Sequence, residues 1–226
     1  MFVNRRSFLL ASAAMSIAMD TAKADVVQLI IRVELSNDRN QIGALKLQNL
    51  SGATLAGPFN VFGRSDDSMA RAHGNATHDS TKPYGDTPSG TYEIPKAVAT
   101  GDSTSYASHS YGPNGALVLK PKSGDAATAA SNGRIGLLIH GGDPGSGGKL
   151  RATHGCLRLS NSDMASLMAA IIAAGNNVQF SRCELTRANV DIGPPGDPVC
   201  GEDVGDPPPG IGSLLNPGTI FVPPPG

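Results

Sequence analysis

Two imidazoles and a thiol stand close together in RIGLLIHGGDPGSGGKLRATHGCLRLSNSD, residues 134–163. His140 ends an apolar run, and His154 and Cys156 follow with a single glycine between them. A free thiol with a pKa of about 8.5 is mostly protonated at neutral pH, so a nucleophilic cysteine needs a base or a positive field. His140, sixteen positions before Cys156, can be that base. Attack on an acyl carbonyl creates an oxyanion, and Gly155 allows backbone angles that let its own N–H and that of Cys156 converge on one point. Removing one such donor typically costs about 3–4 kcal/mol of transition-state stabilisation.

Other chemistries remain open on these residues. A single cysteine is often a small buried hydrophobe, although Gly, Thr, His and Arg around Cys156 suit a partly exposed polar site. Zinc could draw on His140, His154 and Cys156, but the spacing matches no common paired-ligand pattern and no fourth ligand lies nearby. No metal is therefore expected. The loop GGDPGSGGKL fails as a phosphate-binding loop: Asp143 stands where the first glycine is needed and Leu150 where Ser or Thr is needed. Its glycines are better suited to bending a loop over a substrate groove. His73, His78 and His109 lie in polar stretches and read as solvated.

These residues need a frame, and the apolar pattern supplies one. Residues 26–36 alternate, with Ile31, Val33 and Leu35 on one side and Arg32 and Glu34 on the other, which predicts a half-buried strand. Further short apolar runs at 42–47, 92–94, 116–120, 135–140 and 177–181 predict a mainly β domain. One helix is expected over 164–174, capped by Asp163, ended by Gly175, and apolar enough to be buried on most sides. From about residue 189 proline and glycine become too dense for regular elements, so 189–226 reads as a disordered tail.

The chain has 226 residues, is 39% hydrophobic and carries a formal net charge of -1, which fits one soluble domain with added end segments. Nothing is basic enough to suggest nucleic acid. The first 24 residues join a charged start, an apolar stretch from Phe8 to Met19 and a small-x-small site at Ala22-Lys23-Ala24, the pattern of a cleaved export signal. Arg5-Arg6-Ser7-Phe8-Leu9 resembles a twin-arginine signal, the other reading being a general secretory signal. Cleavage removes three Lys/Arg and one Asp/Glu, taking the net charge to -3 and leaving no membrane anchor. In an oxidising compartment two of the three cysteines can pair. Cys183 and Cys200, flanking the start of the tail, are the expected disulfide, worth about 3 kcal/mol.

Together these residues resemble the L,D-transpeptidases, whose catalytic domain is called YkuD-like. The resemblance rests on Ile139-His140-Gly141, on Thr153-His154-Gly155-Cys156-Leu157-Arg158 continued by Asn161 and Asp163, and on Thr87-Pro88-Ser89-Gly90-Thr91-Tyr92 upstream. It implies a β-sandwich with one or two helices packed against it over residues 25–188, and a periplasmic or other extracytoplasmic enzyme acting on peptidoglycan stem peptides without a cofactor. By carry-over Cys156 is the nucleophile and His140 the base and later acid, with the Gly141 carbonyl orienting the ring. Gly155, and with it His154, would shape the oxyanion site, while Thr153 and Arg158 would contact substrate. The implied reaction is acyl transfer through a thioester, expelling D-alanine from a tetrapeptide stem to an amine. The alternatives are an L,D-carboxypeptidase, a toxin-like hydrolase of the same superfamily, or a wall-binding protein without activity. The polar stretch Gly63 to Lys82 departs from the family's pattern, and nothing in the sequence bears on the oligomeric state.

Overall fold

The computed structural model describes residues 26–188. The expected export signal, the tail and Cys200 lie outside the described residues. Nine strands make one sheet: β1 (Val27–Ser36), β2 (Gly43–Asn49), β3 (Thr54–Val61), β4 (Gly90–Glu93), β5 (Ala97–Val98), β6 (Ala116–Ser123), β7 (Leu137–His140), β8 (Leu157–Arg158) and β9 (Val178–Ala188). Their order is β3-β2-β1-β9-β4-β6-β7-β8, with β5 beside β6. The domain is mainly β, and among the described residues no helix is long and apolar enough to cross a membrane.

β1 follows its sequence pattern. Ile31, Val33 and Leu35 are buried, Glu34 is exposed, and the strand lies between β2, antiparallel, and β9, parallel. β9 extends well past Ser181, where the apolar run stops. Leu29 pairs with Phe180 and Ile30 with Arg182, so Ser181 is an extra residue. An extra residue moves the inward set by one position. Val178 and Phe180 are buried before the bulge, Cys183 and Leu185 after it. A reading by strict alternation loses the strand at that point.

The two ends of the sheet meet. Phe62, just after β3, exchanges backbone hydrogen bonds with Arg158 of β8, 2.9 Å in each direction. Ser65 and Thr153 form a further bridge. Closure removes the open edge at this point and fastens residues 62–66 to the segment that carries Cys156. Leu29, Leu45, Leu117, Ile139 and Leu157 are fully buried within the closed sheet, each worth about 1.5–3 kcal/mol relative to exposure.

Among the described residues four helices accompany the sheet: α1 (Asp67–Ala72), α2 (Ser108–Tyr111), α3 (Asp125–Ser131) and α4 (Asn161–Ala173). The cap of α4 is Ser160, whose Oγ accepts the Asp163 N–H at 3.0 Å, so Asp163 is a first-turn residue and not the cap. Met164, Leu167, Met168 and Ile171 are its buried residues, a single stripe at helical spacing. Ile172 is exposed on the other side, so the helix is buried on one face and not on most sides. α1 arises inside the polar stretch because Asp66 caps it, accepting from the Ser68 and Met69 N–H groups.

Candidate active site

β7 and β8 run parallel with Ile139 opposite Leu157 and His140 opposite Arg158. Side chains alternate across a strand, so Ile139 and Leu157 enter the core while His140 and Arg158 take the other face. Cys156 immediately precedes β8 and shares the parity of Arg158. All three line one pocket of about 400 Å³, together with Asp66, Tyr111 and His154.

His140 is 3% exposed. Its Nδ1 lies 2.6 Å from the Gly141 carbonyl oxygen, and since a carbonyl only accepts, Nδ1 carries the proton and Nε2 holds a lone pair. The Tyr111 ring packs against the imidazole, centroids 5.0 Å apart. Burial, with a smaller contribution from the Arg158 cation, lowers the His140 pKa to about 4 against the Gly141 contact. The ring is therefore neutral across the physiological range. Burial also pushes the Cys156 thiol up, opposed by a backbone contact at Leu138 and by the cations of Arg134 and Arg158. Its sulfur lies 3.9 Å from the Gly136 carbonyl oxygen. The resting site holds an uncharged thiol and an uncharged imidazole.

The turn before Cys156 is held from several directions. Thr153 Oγ1 donates to the Cys156 carbonyl at 3.0 Å and accepts the Gly155 N–H at 2.9 Å. Thr87, from the upstream Thr-Pro motif, donates to the Gly155 carbonyl at 2.9 Å. Gly155 has φ +106°, and any side chain there would overlap Arg134 Nη2 and the Gly85 carbonyl. Arg134 is 4% exposed and donates to the carbonyls of Ser80, Gly85 and Asp86.

Several carried-over roles look different in this geometry. The Gly155 N–H is bonded to Thr153 Oγ1. Thr153 is 9% exposed, lines the pocket, and bonds through its hydroxyl, N–H and carbonyl to Cys156, Gly155, Arg64 and Asp66, so it builds the turn. Arg158 is 4% exposed and donates from Nη1 to Ser110 O at 3.0 Å and from Nη2 to Asp143 O at 2.6 Å. These two bonds join α2 to the glycine-rich loop, and the side chain also lines the pocket. Asn161 Oδ1 accepts the Gly142 N–H at 2.7 Å, fixing the chain just after His140. His154 is exposed at the rim, edge-on to Tyr84 at 5.5 Å.

Two histidines read as solvated have partners. His73 stacks on Tyr84 at 3.7 Å. His78 reaches Ser65 Oγ at 3.2 Å, within a cluster where Asp86 also takes Ser65 N at 2.8 Å and both Nε and Nη2 of Arg39 at 3.0 Å. Burial works against the Asp86 anion, yet Arg39 and Ser65 outweigh it and hold the carboxyl below its usual range. Cys183 is fully buried and has no disulfide partner among the described residues, and burial pushes its thiol pKa up to about 12. Its expected disulfide partner, Cys200, lies outside the described residues. Among the described residues no three His, Cys, Asp or Glu side chains are grouped to hold a metal. No motif or spacing marks Tyr111, which reaches the pocket from α2, while Arg134, of the Asn132-Gly133-Arg134 stretch, holds the Gly85 carbonyl from the β6–β7 connection.

No curated protein matches the chain closely enough to count as a relative. The model of the L,D-transpeptidase catalytic domain family, YkuD, matches residues 59–199, well over half of the chain. The match contains the Thr87-Pro88 turn, His140 and the Thr153–Arg158 motif, the elements just described around the pocket. The chain belongs to the YkuD family of L,D-transpeptidase catalytic domains.

Proposed function

We propose that this protein is an exported, cysteine-dependent L,D-transpeptidase that acts on peptidoglycan tetrapeptide stems. The observation that carries this reading is His140, its Nδ1 2.6 Å from the Gly141 carbonyl oxygen, on the same face of β7 and β8 as Cys156 and in the same pocket. A neutral pair needs no preformed thiolate. His140 Nε2 takes the Sγ proton as sulfur attacks the carbonyl that follows the L-centre of the stem's diamino acid. The Cys156 N–H supports the oxyanion. Collapse breaks the bond to terminal D-alanine, whose amine receives the proton from His140, and a thioester remains. An acceptor amine then attacks, gives a proton to His140, and the thiolate leaves and is reprotonated. Transfer to another stem yields a crosslink and transfer to a D-amino acid edits the stem. Transfer to water, the carboxypeptidase reading, uses the same groups.

The test is incubation of residues 25–226 with disaccharide-tetrapeptide, with and without added D-amino acids, followed by mass spectrometry of the products. Wild type is expected to release D-alanine and incorporate the added amino acid, and Cys156→Ala to do neither. Equal release by that variant would sink the mechanism. A wall-binding protein without an activated thiol would leave Cys156 unmodified by a carbapenem, whereas the proposed enzyme is acylated by it.

A further inference from the structure

Asp66 lines the pocket that holds His140 and Cys156 and has no part in the chemistry above. Its N–H donates to the Thr153 carbonyl at 2.7 Å, and Ser65 forms a bridge with Thr153, so its backbone is fixed beside the turn that carries Cys156. One of its carboxylate oxygens, Oδ1, is fully used as the cap of α1, accepting from Ser68 N at 3.0 Å, Met69 N at 2.9 Å and the Ser68 hydroxyl. The other oxygen, Oδ2, accepts no hydrogen bond among the described residues. Among the described residues Asp66 is also the single carboxylate lining the pocket. The Ser68 hydroxyl first, and then the Met69 N–H, hold its pKa below the usual range, so the anion persists over the working pH. On the same pocket Arg151 is exposed, while the Nη atoms of Arg158 are bound to carbonyls.

We propose that Asp66 is the acceptor-binding residue of this site: its free Oδ2 receives the ammonium of an incoming zwitterionic amino-acid centre whose carboxylate faces Arg151. This rests on the transpeptidase reading and names the group that selects the second substrate. A charge-assisted hydrogen bond is about twice as strong as a neutral one, and water offers no ammonium to hold, so the contact favours aminolysis of the thioester over hydrolysis. The balance is simple. The bound ammonium loses one proton to solvent, and the free amine forms the C–N bond as the C–S bond breaks. Its second proton passes through His140 Nε2 to the departing sulfur. Asp66 takes no net proton.

Asp66→Asn is a suitable variant because asparagine caps a helix as well as aspartate does, removing the charge and keeping α1; Asp66→Ser is a second capping variant. Three rates are compared with wild type: Cys156 acylation by disaccharide-tetrapeptide without acceptor, exchange with D-methionine, and exchange with hydroxylamine, a nucleophile that is largely uncharged at neutral pH. Both variants are expected to acylate within about twofold of wild type and to need about tenfold more D-methionine for half-maximal exchange, with hydroxylamine transfer unaltered. An unchanged D-methionine requirement in either folded variant overturns the proposal, as does an equal loss with both nucleophiles. Failure of wild type to be acylated at all refutes the transpeptidase reading itself; normal acylation with unchanged acceptor dependence refutes only the role of Asp66.

Discussion

Gly155 lies so close to Arg134 that even a methyl group at position 155 would overlap the Nη2 atom of the guanidinium. The glycine beside Cys156 is thus required by a buried arginine as much as by its own φ of +106°. Gly155→Ala is expected to destabilise the domain by about 1–3 kcal/mol through backbone strain alone, with a further penalty from the displaced guanidinium. Urea denaturation and the rate of Cys156 acylation check this. A variant as stable and as active as wild type would show that the turn tolerates a side chain.

The buried imidazole predicts an unusual acid limb. The proposed mechanism needs neutral His140, and with its pKa lowered to about 4 the rate should hold from pH 7 down to pH 5 and fall only as the pH drops through about 4. An ordinary histidine would begin to lose activity near pH 6.5. The pH profile of kcat/KM, read together with His140→Ala, which should lose about 10²–10⁴ of the rate, tests the assignment.

The same shift has a stability consequence of fixed sign. The folded-state pKa lies below the unfolded value, so as pH falls from about 6.5 towards 4 the unfolded chain binds a proton that the folded chain refuses, and stability is lost across that window. A shift from 6.5 to about 4 corresponds to a loss on the order of 3 kcal/mol. His140→Gln should lose less stability than wild type between pH 7 and pH 4 in chemical denaturation. Parallel curves would show that His140 titrates normally.

Arg158→Lys separates a clamp from a substrate contact. Lysine keeps the charge but lacks the fork that reaches the Ser110 and Asp143 carbonyls together. The expected result is a loss of about 2 kcal/mol of stability with lower acylation. A rise in donor KM at unchanged stability would return Arg158 to the role of substrate ligand.

Thr87→Val removes the bond from the Thr-Pro turn to the Gly155 carbonyl while keeping side-chain shape. About 1–2 kcal/mol of stability is expected to be lost, with slower acylation, as measured by thermal melting and carbapenem labelling. An effect on neither would mean that the two motifs are near one another without being coupled.

Much of this protein was legible in one dimension. Alternation over residues 26–36 placed β1 and its inward side chains, because the two-residue period of a strand is a local property. The spacing of His140 and Cys156 and the Thr-Pro motif pointed to the family. Where the local signal was interrupted, the reading failed: the bulge at Ser181 hid the second half of β9, and Ser160, not Asp163, caps α4 because the chain leaves β8 so close to the helix. Closure of the sheet decided the rest. Only when Phe62 pairs with Arg158 does the polar stretch after β3 reach the Cys156 turn and bring Asp66 into the pocket. Sequence determined which groups can react; the tertiary structure decided which polar atoms are already spent. Thr153, Gly155 and Arg158 are polar in any reading, and whether they serve substrate or scaffold depends on partners as many as 68 residues away, as for Gly155 and Thr87. Hydrogen bonds between distant segments leave no periodicity in the chain from which they could be read.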